Sequence, residues 1–123
     1  MLHKLRLTVA VAIVGAVLVT APGASAHEAG SPVCDSGALC VWYDTHYTGS
    51  RFMFFGTNSS WHSWAIADDD SSSKNNGTTG LRARIWENTS YGGTLIECLA
   101  QGVKVAHNDP NDEGSSNDWQ WSC

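Results

Sequence analysis

Basic residues are scarce in this chain. Of its 123 residues only seven are Lys or Arg, against twelve Asp and Glu. Two of those seven, Lys4 and Arg6, lie before residue 26, whereas every carboxylate lies after it. From His27 onward the balance is −7 with His neutral. A basic footprint for nucleic acid is therefore missing, and so is a basic face for anionic membranes. Only one long apolar run exists, Leu7 to Val19, and at 13 residues it is too short to span a bilayer. Windows with apolar residues at helical spacing are lacking as well, which argues against a helical domain. The chain has no G-x-S-x-G and no H-E-x-x-H, and His46, His62 and His107 stand apart from any such motif. Asp44 and Glu87 sit at equivalent places in a repeat, which structure alone explains. The chain reads as a non-enzyme.

The apolar run has a different use. It comes after a basic start and ends at Pro22-Gly23, and Ala24-Ser25-Ala26 then supplies an A-x-A cleavage site. Residues 1–26 are thus expected to be a secretory signal peptide. The remaining 27–123 are long enough for a single small domain, secreted and extracellular. Four cysteines fall in it: Cys34, Cys40, Cys98 and Cys123. An even count in an exported chain of this size reads as two disulfides. Three pairings are possible. The turn-rich Asp35-Ser36-Gly37 spacer favours Cys34–Cys40, leaving Cys98–Cys123.

Leu39 to Asp44 is rich in β-branched and aromatic residues and predicts a strand. Thr45 to Gly49 predicts a corner, and Arg51 to Phe55 a second strand. Trp42, Tyr47 and Gly49 then recur as Trp86, Tyr91 and Gly93, each displaced by 44 residues. A fixed period of this length marks two copies of one supersecondary unit. Two aromatics five apart can stack over a folded hairpin, and glycine supplies the positive φ that the corner needs. Leu81 to Glu87, Thr94 to Leu99, Val103 to Ala106 and the Trp119/Trp121 segment complete the second copy, and Trp61 to Ala67 carries at most a short strand. Two units of short strands, residues 39–76 and 81–123, give an all-β sandwich. Only the 75–80 turn separates them, so they should share a core. The sequons at Asn58, Asn76 and Asn88 read as turns. Trp61, Trp64, Trp119 and Trp121 are left over from the corners, free to face a sugar or a protein.

An acidic, hydroxyl-rich loop comes after each corner. Asp68-Asp69-Asp70-Ser71-Ser72-Ser73 and Asn111-Asp112-Glu113-Gly114-Ser115-Ser116 both fit Asp/Asn-Asp/Asn-x-x-Ser/Thr-Ser. Such residues make ordinary turns. They also offer the carboxylate, carbonyl and hydroxyl oxygens that calcium takes, six to eight at a time.

Corner and loop together resemble the βγ-crystallin family. The resemblance implies a sandwich of two Greek-key motifs whose paired loops bind two calcium ions crosswise. Carried over, it implies side-chain ligands Asp69, Ser72, Asp112 and Ser115 and the carbonyls of Asp70 and Glu113, with Asp68 and Asn111 in the same loops. Three Asp and then three Ser leave the first loop's register open by one residue. Within that fold, Cys34-Asp35-Ser36-Gly37-Ala38-Leu39-Cys40 resembles the C-x-x-G-x-L-C opening of the small secreted metalloproteinase inhibitors of actinobacteria. That resemblance implies a monomeric inhibitor of an extracellular, thermolysin-type zinc protease. Its substrate-like reactive bond would come directly after a cysteine, best matched by Cys98–Leu99. The family's second nearby cysteine is missing here, since the next is Cys123. The alternative is a calcium-binding crystallin-type module with a structural or stress role and no inhibitory activity.

Overall fold

The computed structural model describes residues 33–123, so the expected signal peptide and its cleavage site lie outside the described residues. Among the described residues, seven strands form two antiparallel sheets. The first holds β1 (Leu39–Asp44), β2 (Thr48–Phe54), β3 (Ser72–Asn75) and β6 (Lys104–Val105), in the order β2-β1-β3-β6. The second holds β4 (Arg82–Trp86), β5 (Leu95–Leu99) and β7 (Ser116–Gln120), in the order β5-β4-β7.

The two copies exchange material. Strand β6, from the second copy, pairs with β3 of the first through Ser73↔Val105 and Lys74↔Lys104. In return the first copy sends Asn58 to an isolated antiparallel bridge with Asn117 of β7. The reciprocal crossing explains why one core serves both. Leu39, Val41, Phe54, Trp61 and Ile66 pack against Ala83, Ile85, Ile96 and Leu99 in a single buried cluster. Alternation produces this: in β4, Ala83 and Ile85 point inward while Arg82, Arg84 and Trp86 stay partly exposed. At the centre Trp61, fully buried, stacks on Phe54 with centroids 4.8 Å apart.

Each copy's corner is a single tight turn with the same backbone. His46 and Ser90 share φ 56° and ψ 33°, and Tyr47 and Tyr91 share φ 60°. Gly49 and Gly93 come next at φ 75° and 73°. Glycine is required there for space as well as for φ. A Cβ at Gly49 would stand 2.5 Å from the Asp44 carboxylate, and one at Gly93 2.6 Å from the Asn88 amide.

Of two sequence expectations here, one fails. Trp61 to Ala67, expected to carry at most a short strand, is a run of turns with Trp61 and Ile66 buried in the core. Conversely Ser72–Asn75, read from sequence as loop and turn, is the buried strand β3. Its polar side chains find partners at a distance. Ser73 donates to Asn108 Oδ1 at 3.0 Å, and the Asn75 amide donates to the carbonyls of Leu99 at 2.7 Å and Leu81 at 3.1 Å. A buried polar strand is tolerated when each group is paired.

Candidate functional site

The two acidic loops meet beside the core, and they meet crosswise. Ser115 Oγ donates to Asp68 Oδ1 at 2.9 Å, and Ser71 Oγ donates to Asp112 Oδ1 at 3.2 Å. Backbone bonds tie them further: Asp68 N–H to the Gly114 carbonyl at 2.8 Å and Asp112 N–H to the Asp70 carbonyl at 2.9 Å. Asp68 and Asp112 share φ 59°, a left-handed value that short polar side chains tolerate. These pairings fix the loop register at a displacement of 44, the same as the corners. Asp68, Asp70 and Ser71 thus correspond to Asp112, Gly114 and Ser115.

That register moves the first-loop assignments by one residue: Asp68 rather than Asp69 corresponds to Asp112, Asp69 rather than Asp70 to Glu113, and Ser71 rather than Ser72 to Ser115. Ser72, a ligand candidate by resemblance, corresponds to Ser116, and both hydroxyls are committed to the corners. Ser72 Oγ donates to the Asp44 carbonyl at 2.7 Å and accepts the Tyr47 N–H at 3.0 Å. Ser116 Oγ does the same with the Asn88 carbonyl at 2.6 Å and the Tyr91 N–H at 3.2 Å. The hydroxyls that face the opposite loop are Ser71 and Ser115. Applying the 44-residue period of the tryptophans to the loops would have identified Ser71 from sequence.

Asp70 lies beneath the loops, fully buried. Its carboxylate accepts the Gly114 N–H at 2.6 Å and the Asn108 amide at 2.7 Å. Burial pushes its pKa up, and the two hydrogen bonds offset part of that. Glu97 is also held above the usual carboxylate range by burial. Asp69 and Glu113 project from the same loops and, with Asp68 and Asp112, give this end of the molecule its acidity.

Whether the loops suit a cation turns on their donor chemistry. Among the described residues no group of three or more His, Cys, Asp and Glu side chains converges as a metal cluster. The donors on offer are instead oxygens of mixed kind: two carboxylates, two hydroxyls and loop carbonyls. The buried Oδ1 of Asn111 has no hydrogen-bond partner, an acceptor that a hard cation or a water would satisfy. The residues fit an oxygen-seeking divalent ion.

The bond Cys98–Leu99 has a different setting. Both residues lie in β5, in register with β4 through Arg84↔Cys98 and Ala83↔Leu99. Leu99 is 3% exposed and belongs to the core. Cys98 pairs with Cys123, and Cys34 with Cys40. The bond lies at the end of β5, an edge strand of its sheet, and it is the side chain after the bond, Leu99, that the core takes. The expected reactive bond at Cys98–Leu99 thus carries a leucine that faces the core. The reason is the register, which turns Leu99 inward.

The Cys34–Cys40 loop is well anchored. Gly37 N–H donates to the Asn76 carbonyl at 2.8 Å, and the Asn76 amide returns a bond to the Cys34 carbonyl at 2.8 Å. The sequence profile described as peptidase inhibitor family I36 matches residues 27–98, more than half of the chain and all of this loop. The chain belongs to peptidase inhibitor family I36. This family member is not an enzyme, and a protease is the partner the family implies. No protein of curated function matches it.

Solved structures bear on its fold. A protein described under the evolution of the eye lens βγ-crystallin domain fold shares 20% identity at a TM-score of 0.63, over 73% of this chain and 92% of that one. A βγ-crystallin from Ciona intestinalis shares 17% at 0.59, over 68% and 100%. A βγ-crystallin domain from Clostridium beijerinckii shares 20% at 0.55, over 69% and 99%. The family I36 chain is therefore an all-β, βγ-crystallin-like sandwich. Its two disulfides are compatible with an extracellular protein.

Proposed function

We propose that the protein is a secreted inhibitor of thermolysin-type zinc metalloproteases. The carrying observation is the family I36 match over residues 27–98, which takes in the Cys34–Cys40 opening. The choice of protease class rests on the resemblance of that opening to inhibitors of such enzymes. The excess of carboxylates and the pair of disulfides suit an exported, soluble, monomeric protein. The test is a thermolysin assay with the chain from His27 onward. Inhibition at micromolar protein is expected, and full protease activity at that concentration refutes the reading.

A second reading is favoured by the crosswise loops, and it is compatible with the first. Asp68, Ser71, Asp112 and Ser115, with loop carbonyls, would hold calcium, which supplies a positive charge between two acidic loops. The carboxylates repel one another without it, and the bound ion would stabilise only the folded chain. Millimolar calcium should then raise the melting temperature, as mass action requires. Asp112→Ala should abolish that rise. An unchanged melting temperature in the parent protein counts against calcium.

A further inference from the structure

Two of the tryptophans left over from the corners, Trp119 and Trp121, stand at a cleft well away from the acidic loops. The loops meet at the Ser72 end of β3, and the cleft opens at the other end, past Asn75. Its volume is about 220 Å³, and Phe55, Thr57, Thr78, Leu81 and Trp119 supply side-chain walls. No residue lining it is ionisable, in a chain with twelve carboxylates. The two most exposed large hydrophobic side chains of the described residues flank it, Phe55 at 60% and Trp121 at 75%. Trp121 lies over Gly80, where a Cβ would stand 3.5 Å from its ring.

Three chain segments bound the cleft, and polar bonds hold each of them. The fully buried Asn75 side chain accepts the Gly77 N–H at 2.8 Å and donates to the Leu81 carbonyl at 3.1 Å, so it pins both ends of the turn that carries Thr78. Asn76 ties the same turn to Gly37 and Cys34 of the short disulfide loop. After Phe55, the Gly56 carbonyl accepts the Asn58 amide at 2.9 Å, the Asn117 amide at 3.0 Å and the Trp119 indole at 3.2 Å. The last bond also fixes the Trp119 ring. Gly77 leaves room for that ring, since a Cβ there would stand 2.8 Å from it. The cleft is thus preformed, and filling it orders little of the protein.

We propose that this cleft binds one ring of a neutral sugar, with an apolar ring face against Trp119 and Phe55 and ring hydroxyls bonded to Thr57 and Thr78. A pyranose has the matching chemistry: C–H groups on its faces, hydroxyls around its rim and no charge. Aromatic side chains offer broad apolar area to such a face, and a few polar groups among apolar walls set orientation. Thr57 and Thr78 are exposed, so their hydroxyls can exchange water for a ligand. The volume falls below the roughly 300–1,000 Å³ of sites for drug-sized molecules, which suits a single ring. The lack of ionisable walls selects against acidic sugars. A carboxylate entering the cleft would lose water and gain no countercharge, and the chain's own carboxylates would repel it. Trp121 prolongs the aromatic surface past the cleft.

The test is a nuclear magnetic resonance titration of the isotope-labelled chain from His27 onward. The probes are methyl glucoside, methyl mannoside, methyl galactoside and N-acetylglucosamine, all neutral, with glucuronic acid as the charged counterpart. At least one neutral probe should shift the Gly77 and Thr78 amides and the Trp119 indole together, with a Kd on the order of 1 mM. Glucuronic acid should bind at least about tenfold more weakly. Thr57→Val and Thr78→Val, each first checked for an unchanged melting temperature, should weaken the best neutral probe roughly five- to tenfold, as loss of one hydrogen bond does. Silence of the three signals toward every neutral probe at about 20 mM overturns the site. So does binding by both threonine variants equal to that of the parent, or glucuronic acid bound as tightly as the neutral sugars. These outcomes stand whether or not the protein inhibits thermolysin.

Discussion

The loops at 67–72 and 111–116 have matching backbones and nearly matching contacts, yet at one position they hold opposite residues. The first loop has Asp70, fully buried; the second has Gly114. A Cβ on Gly114 would stand 2.7 Å from both the Asp70 carboxylate and the Trp61 ring. One loop inserts a charged side chain where the other gives up its own. The repeat is therefore a constraint on the backbone, while the space between the copies is shared and can be filled from only one side. The aromatic corners differ in the same way. Trp42 meets Tyr47 edge-on at 5.4 Å, whereas Trp86 gives its indole N–H to Asp118 at 3.0 Å and lies beneath Arg84 at 5.1 Å. Burial opposes ionisation of Asp118, but Arg84 and Trp86 outweigh it and hold the carboxyl below its usual range.

The comparison can be broken most severely at the bonds that enclose the loops. The Cys98–Cys123 bridge spans 25 residues and contains the second loop; the Cys34–Cys40 bridge spans 6 and contains neither. The loop-closure model gives about 3.5 kcal/mol for the long bridge and about 2 kcal/mol for the short one. Urea unfolding of the two paired Cys→Ser variants should show that order. Equal losses would mean that the second loop gains nothing from its enclosure.

Next in size is the asymmetric position itself. Gly114→Ala places a methyl against two buried groups and should cost about 2–3 kcal/mol. Asp70→Gly, which makes the loops alike, strands the Asn108 amide and the Gly114 N–H and should cost about 1–3 kcal/mol. If Gly114→Ala is tolerated only in the Asp70→Gly background, the two residues are complementary halves of one fit. A double-mutant cycle on unfolding free energies measures this directly.

The smallest effect is a slope with pH. The folded-state pKa of Asp70 is raised, so the native chain holds this proton more tightly than the unfolded chain does. Stability from this group is therefore greatest below the unfolded carboxylate value of about 3.9 and falls as pH rises through the folded value. Asp70→Asn should flatten that fall in melting temperature above about pH 4. Glu97 contributes in the same direction and Asp118 in the opposite one, so the readout is the difference between variant and parent. Identical profiles would show that Asp70 is paired well enough to ionise freely.

Most of the architecture was legible in the residues. The 44-residue echo of Trp42, Tyr47 and Gly49 announced two copies of a folded corner, and Leu81, Ala83 and Ile85, alternating with Arg82, Arg84 and Trp86, marked the inner face of β4. Strand β3 was not legible, because Ser72, Ser73 and Asn75 are stabilised by partners such as Asn108 and Leu99, which lie at least 24 residues away. Local propensity carries no information about such pairs. The same applies to the loops. Their acidity was visible, but the division of labour between Ser71, turned to the opposite loop, and Ser72, turned to the corner, depends on the register.

By itself the sequence determined the all-β class, the duplicated unit and the two acidic turns, because period, turn chemistry and aromatic spacing are local properties. The family, too, could be read from it, through the Cys34-to-Cys40 opening. Only the tertiary structure decided which cysteine-bearing strand is buried, which serine faces which loop, and that Asp70 and Gly114 fit together. It also showed that Phe55, one of four aromatic or sulfur-bearing residues in a row, is the one left exposed above a fixed carbonyl. Those outcomes depend on how two copies pack across a shared core, and no residue's neighbours in sequence specify its neighbours in space.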